Sequence, residues 1–175
     1  DIGCGAGWLS NSISYLYKGK KVTGVDFNSV AVNRAAEVAK TMSLSTEFHV
    51  ADLFNFKPNQ RYDFLISIGV LMCTNDCMKA IKSVIQNCLT EKGKIYIGLY
   101  HLHGRKPFLN YFKNLQSKGY SNDELLKEYS KIHTSLKDKT HLESWFRDQV
   151  LHPHETLHTM EEIMPILESE NMILT

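Results

Sequence analysis

A chain of 175 residues with 43% hydrophobic residues, 22% charged residues and a formal net charge of +1 has the makeup of one soluble globular domain with a sizeable core. The near-neutral balance gives no overall pull toward nucleic acid, and no run of about 18 apolar residues offers a membrane span. Cysteines at 4, 73, 77 and 88 form no Cys-x-x-Cys pair and read as reduced thiols of a cytoplasmic protein.

The chain opens on Asp1-Ile2-Gly3-Cys4-Gly5-Ala6-Gly7, an acid at a strand end followed by three alternating glycines. Residues 8–17 read as a helix with Leu9, Ile13 and Leu16 toward one side, ended by Lys18-Gly19-Lys20. Residues 21–26 form a short strand ending in Asp26, and Asn28 or Ser29 caps a helix over 29–42. A third strand, 46–50, closes on Ala51-Asp52 and is followed by a Lys57-Pro58-Asn59-Gln60 turn. Residues 62–68 are almost continuously apolar, the pattern of a strand covered on both faces. Ile81, Val84, Ile85, Cys88 and Leu89 recur at helical spacing over 76–89, and residues 94–100 read as another buried strand.

The rhythm then changes. Residues 101–158 are aromatic and His-rich, with helical pieces over 107–118, 122–133 and 139–150. This is too long for a plain strand-to-helix connection and reads as an insertion or lid. A last helix over 159–170 is capped by Thr159 with Glu162 three residues on, and 171–175 looks like the start of a strand. The alternation predicts an α/β fold: a doubly wound, Rossmann-like, mostly parallel sheet with helices on both faces and right-handed crossovers. Ligands bind such sheets at the carboxyl ends of the strands.

The glycine spacing separates two nucleotide-binding families. The dinucleotide fingerprint requires Gly or Ala at position 8, where Trp8 stands. The loop instead resembles motif I of the class I S-adenosylmethionine-dependent methyltransferases, and the resemblance extends through ordered motifs over residues 1–100. It implies that Asp1, Gly3, Gly5 and Gly7 pass under the methionine part of S-adenosylmethionine. Asp26 would accept from the ribose diol and Phe27 would lie against the adenine. Asp52 and Leu53 would meet the adenine edge, and Ile68 would line the methionine end. Against this family's seven-stranded sheet, most of a first strand and a C-terminal hairpin are expected to be missing, as in a piece of a longer protein. A single domain then has a cofactor-binding core over 1–100, a helical insertion over 101–158, and a last helix and strand start over 159–175. Many relatives with a similar Gly-Val-Leu continue with two histidines, where this chain has Met72-Cys73.

In the second half, Trp145-Phe146-Arg147-Asp148-Gln149 leads to His152-Pro153-His154-Glu155 and His158. Imidazoles titrate near neutrality, so His154 or His158, with Glu155, is the candidate base for a nucleophile being methylated. His154-Glu155-Thr156-Leu157-His158 also matches the zincin pattern. Pro153 before it and the Thr159 cap after it place the match in a loop, so no metal is expected. The reading is methyl transfer to an O, N or C nucleophile of a small molecule, with no nucleic-acid or membrane partner. The alternatives are a catalytically silent methyltransferase-like binding module and, further off, an NAD(P)-dependent oxidoreductase.

Overall fold

The structure is a computed structural model that describes residues 1–135 and 138–174. It divides into two compact units, Asp1–Leu99 with Met160–Thr175, and Tyr100–Thr159.

In the first unit α1 (Trp8–Leu16) leads to β1 (Thr23–Asp26), α2 (Ser29–Thr41) and β2 (Glu47–Val50). β3 (Tyr62–Ile68), a 3-10 turn at Leu71–Cys73, α3 (Cys77–Cys88), β4 (Leu89–Gly98) and, after the second unit, α7 (Met160–Ser169) complete it. β1 pairs with β2 and β3 with β4, both in parallel. The short Asp1–Cys4 segment joins the two pairs. Ile2 bridges Val25 in parallel, the Val25 N–H donates to Asp1 O at 2.9 Å, and the Ile2 N–H donates to Ile66 O at 2.8 Å. The Ser67 hydroxyl donates to Ile2 O at 3.1 Å. The strand order is therefore β2, β1, Ile2, β3, β4, with the glycine loop leaving the centre of the sheet.

Local chemistry starts the helices where the sequence places them. Asn28 accepts from the N–H groups of Val30 and Ala31 at the start of α2, and Asp76 accepts from Lys79 N–H at the start of α3. β4 begins at Leu89, earlier than expected, because a register shift lets Tyr62 pair with Leu89 before Phe64 pairs with Lys94.

Three further expectations change in the first unit. In α1 the buried residues are Ser10, Asn11 and Ser14, not Leu9, Ile13 and Leu16. Small polar side chains win that face because they bond what lies beneath. Ser10 Oγ donates to Asp1 Oδ2 at 2.7 Å and Asn11 Nδ2 donates to Ala35 O at 3.1 Å. The β3 strand is covered on one face only among the described residues. Leu65 and Ser67 are buried, whereas Phe64, Ile68 and the neighbouring Tyr96 are 55%, 53% and 58% exposed. Phe64 and Ile68 alternate with the buried pair, and the parallel register sets Tyr96 beside Ile66 on their face. Asn171 to Leu174 form no strand. Asn171 has φ 56° and Met172 N–H donates back to Leu167 O at 2.9 Å, so the helix end curls on itself.

The second unit contains α4 (Leu102–Ser117), α5 (Asn122–Ile132) and α6 (Lys139–Gln149). α4 starts five residues before the expected 107, with Pro107 inside it. Arg105 N–H donates to His101 O at 2.9 Å, so the first turn forms ahead of the proline, whose missing N–H removes one later bond. α5 carries a full capping box between Ser121 and Glu124. The core is Phe112, Leu125, Tyr129 and Phe146. Its ends are tied by a parallel bridge between His101 and His158. There Leu102 N–H donates to His158 O at 2.9 Å and His158 N–H donates to Tyr100 O at 3.2 Å.

Candidate active site

The glycine loop has one open point between two packed ones. Gly3, Gly5 and Gly7 all have φ between 51° and 77°, a region where L side chains are strained. A Cβ on Gly7 would come within 2.5 Å of Ala35 Cβ, and one on Gly3 within 2.3 Å of Val70. At Gly5 a Cβ would meet nothing within 4 Å. Gly3 and Gly7 thus serve close packing, while Gly5 presents bare backbone to open space at the carboxyl edge of the sheet.

Asp26 fixes that loop. Its Oδ2 accepts from Gly5 N–H at 2.9 Å and its Oδ1 accepts from Asn28 N–H at 2.9 Å. Each carboxylate oxygen has a second lone pair, so these two bonds leave acceptor capacity for a diol. Phe27 follows, 81% exposed, so its ring is open to solvent beside the Asp26 carboxylate. Asp1 is half-buried and holds the buried Ser10 hydroxyl. Ile68 is exposed at the end of β3, next to Gly69. Asp52 closes its own turn: Oδ1 accepts from Phe54 N–H at 3.0 Å and Oδ2 from Asn55 Nδ2 at 3.1 Å. Leu53 is half-buried within that turn. Cys4, under the loop, has its thiol pushed up to about 11 by burial and by the Asp26 charge.

In the second unit the polar chemistry centres on Arg105, which sequence reasoning did not single out. Arg105 is buried. Its Nε and NH2 donate to the two oxygens of Glu155 at 2.9 and 2.8 Å. NH1 reaches Gln149 Oε1 at 2.9 Å and NH2 reaches Gln149 O at 2.7 Å. The guanidinium also lies 4.5 Å from the Tyr100 ring centroid and 4.8 Å from that of Phe108. Gln149 Nε2 donates to Tyr100 OH at 2.7 Å. Burial disfavours the Arg105 charge, but the hydrogen bonds and charge of Glu155 outweigh it and its pKa is raised. A signal was present: Leu102, Arg105, Phe108, Leu109 and Phe112 share one helical stripe, and a cation in an apolar stripe needs a buried carboxylate.

Of the three candidate catalytic side chains, Glu155 is held by Arg105. His158 is anchored through its backbone, with its ring Nε2 2.8 Å from Thr156 Oγ1. His154 is exposed, its N–H 3.3 Å from His152 Nδ1. Residues 154–158 form no helix, so the i, i+4 face that the zincin pattern needs is not built.

A family model described as a methyltransferase domain matches residues 1–171. The chain belongs to that family. Among curated relatives, it is 23% identical over 156 residues to malonyl-[acyl-carrier protein] O-methyltransferase of Bacillus cereus, covering 87% of this chain and 51% of that protein. It is 31% identical over 97 residues to putative methyltransferase 235L of Invertebrate iridescent virus 6, covering 55% of this chain and 35% of that protein. The chain thus spans between 35% and 51% of the length of these curated relatives. Among solved structures, PKMT2 from Rickettsia typhi in complex with AdoHcy superposes with a TM-score of 0.77 at 15% identity, over 97% of this chain and 37% of that one. Magnesium protoporphyrin IX methyltransferase from Synechocystis with bound SAH superposes with a TM-score of 0.60 at 17% identity, over 97% and 61% of the two chains. These likenesses establish the Rossmann-like α/β methyltransferase fold.

PKMT2 and the Synechocystis enzyme are bound to AdoHcy and SAH, and the first unit of this chain has features that such a ligand would need. The open backbone at Gly5 leaves room for a ligand against the loop, Asp26 keeps unused acceptor positions, and Phe27 offers a bare aromatic face. No helix among the described residues is long and apolar enough to cross a membrane.

Proposed function

We propose that the protein transfers a methyl group from S-adenosylmethionine to an O, N or C nucleophile of a small molecule. The cofactor supplies an electrophilic sulfonium methyl. The rest of the catalysis is positioning, desolvation and, where the nucleophile needs it, proton removal. The observation that carries the reading is Gly5. It has a positive φ, open space where a Cβ would sit, and an N–H held by the carboxylate at the β1 end.

In this reading Gly3, Gly5 and Gly7 shape the loop under the methionine part, and Asp1 braces it through Ser10. Asp26 receives the ribose diol, Phe27 covers the adenine, and Asp52, Leu53 and Ile68 line the remaining edges. His154 or His158 is the base. Glu155, bonded on both oxygens to Arg105, acts as a positioning residue for the 149–155 segment. The name of the Bacillus cereus relative, an O-methyltransferase, puts oxygen first among the three nucleophiles. Calorimetric titration of the chain with S-adenosylhomocysteine and with NADH tests the reading. Binding of the first and not the second supports it, and equal or tighter binding of NADH overturns it. Replacing the base with Ala should lower turnover by about 10²–10⁴-fold while leaving cofactor affinity intact.

A further inference from the structure

The helical unit contains a cleft of about 370 Å³ between α4 and the segment from Gln149 to Glu155. It is built wholly from that unit, and its lining includes His154 and Glu155, so the inference rests on the function proposed above. We propose that it is a binding site for a small organic acid: one anionic group on a compact apolar body.

Three observations point there. The size falls in the range of small-molecule sites. The wall has an apolar part, with Leu109 and Phe112 on α4 facing Val150 and Leu151 on the opposite segment. Phe112 is anchored in the core of the unit, so this part is firm. The lining holds one lysine and one acid, and they differ in their partners. Lys113 lines it and has no carboxylate partner among the described residues. His152 and His154 line it too, and neither brings a negative charge. The single acid in the lining, Glu155, has both oxygens bonded to Arg105. Its charge is balanced inside the protein and does not repel an anion. An acid would therefore meet Lys113 and lay its carbon frame against the half-buried Leu109 and Leu151.

The Arg105–Glu155 pair also sets the shape. It fastens the 149–155 segment to α4, so the cleft exists before ligand arrives and little ordering is needed on binding.

The test uses the isotope-labelled chain with 4-phenylbutyrate, its uncharged amide 4-phenylbutyramide, and inorganic phosphate as probes. Amide shifts on titration should map to residues 109–116 and 149–155. The acid should bind more tightly than both the amide and phosphate. Lys113→Glu should weaken the acid by about tenfold or more, and Lys113→Met, which keeps the apolar stem, by less. Lys127→Glu, the same charge change elsewhere on the unit, should leave it unchanged. Any one of four results overturns the proposal: the amide or phosphate binding as tightly as the acid, Lys113→Glu leaving affinity unchanged, Lys127→Glu weakening it as much, or shifts concentrated on the exposed Phe64–Ile68 sheet face.

Discussion

Asp26 ends a strand and Glu155 lies in a connecting segment, and the structure uses the two carboxylates in opposite ways. Asp26 sits at a strand end with a backbone N–H on each oxygen and acceptor positions left over. The Glu155 side chain is only 8% exposed, with each oxygen on one guanidinium. The first arrangement holds a loop and still faces a ligand. The second satisfies a buried cation. The comparison teaches that a carboxylate's role follows from what donates to it, which residue type and loop position do not reveal.

The sharpest way to break the contrast is at Arg105. Arg105→Ala should cost about 3–5 kcal/mol of stability, because it leaves Glu155 buried and unpaired. Denaturant titration measures this, and a loss under 1 kcal/mol would show that the pair is solvated. Glycine substitutions sharpen the account of the loop. Gly7→Ala should cost about 2–4 kcal/mol, since it adds overlap with Ala35 to a left-handed backbone. Gly5→Ala should cost only about 1–2 kcal/mol yet should reduce S-adenosylhomocysteine binding more than its stability loss explains. Equal stability losses at the two positions would refute the distinction between packed and open glycines.

Asp26→Ala should weaken S-adenosylhomocysteine by roughly 10- to 150-fold, the loss of a charged hydrogen-bond partner. Its effect on the fold should be detectable, because Gly5 and Asn28 lose their acceptor. An unchanged dissociation constant would place the ribose elsewhere. Ser121→Ala removes half of the capping box and should cost about 1 kcal/mol, read from helix content on heating. The smallest effect is kinetic. Burial first, and then nearby acids, push the Cys4 and Cys77 thiols up to about 11. At pH 8 both stay protonated, so iodoacetamide should label the half-buried Cys73 before them, as peptide mass spectrometry would show. Raising the folded thiol above its ordinary 9.0 means the associated stability is complete below that pH and is lost as pH climbs toward about 11.

By itself the sequence determined the alternation of elements, the parallel sheet, the methyltransferase motif and the position of Asp26 at a strand end. Those are local properties: periodicity, glycine at positive φ, and a cap residue such as Asn28 before α2 state their own structure. Tertiary structure decided the rest. It turned α1 so that Ser10 and Asn11 face inward, because Asp1 and Ala35 O wait there as partners. It ran α4 through Pro107, and it joined Arg105 to Glu155, 50 residues away. Such pairings depend on which groups long-range folding brings within hydrogen-bond reach, and no periodicity along the chain encodes that distance.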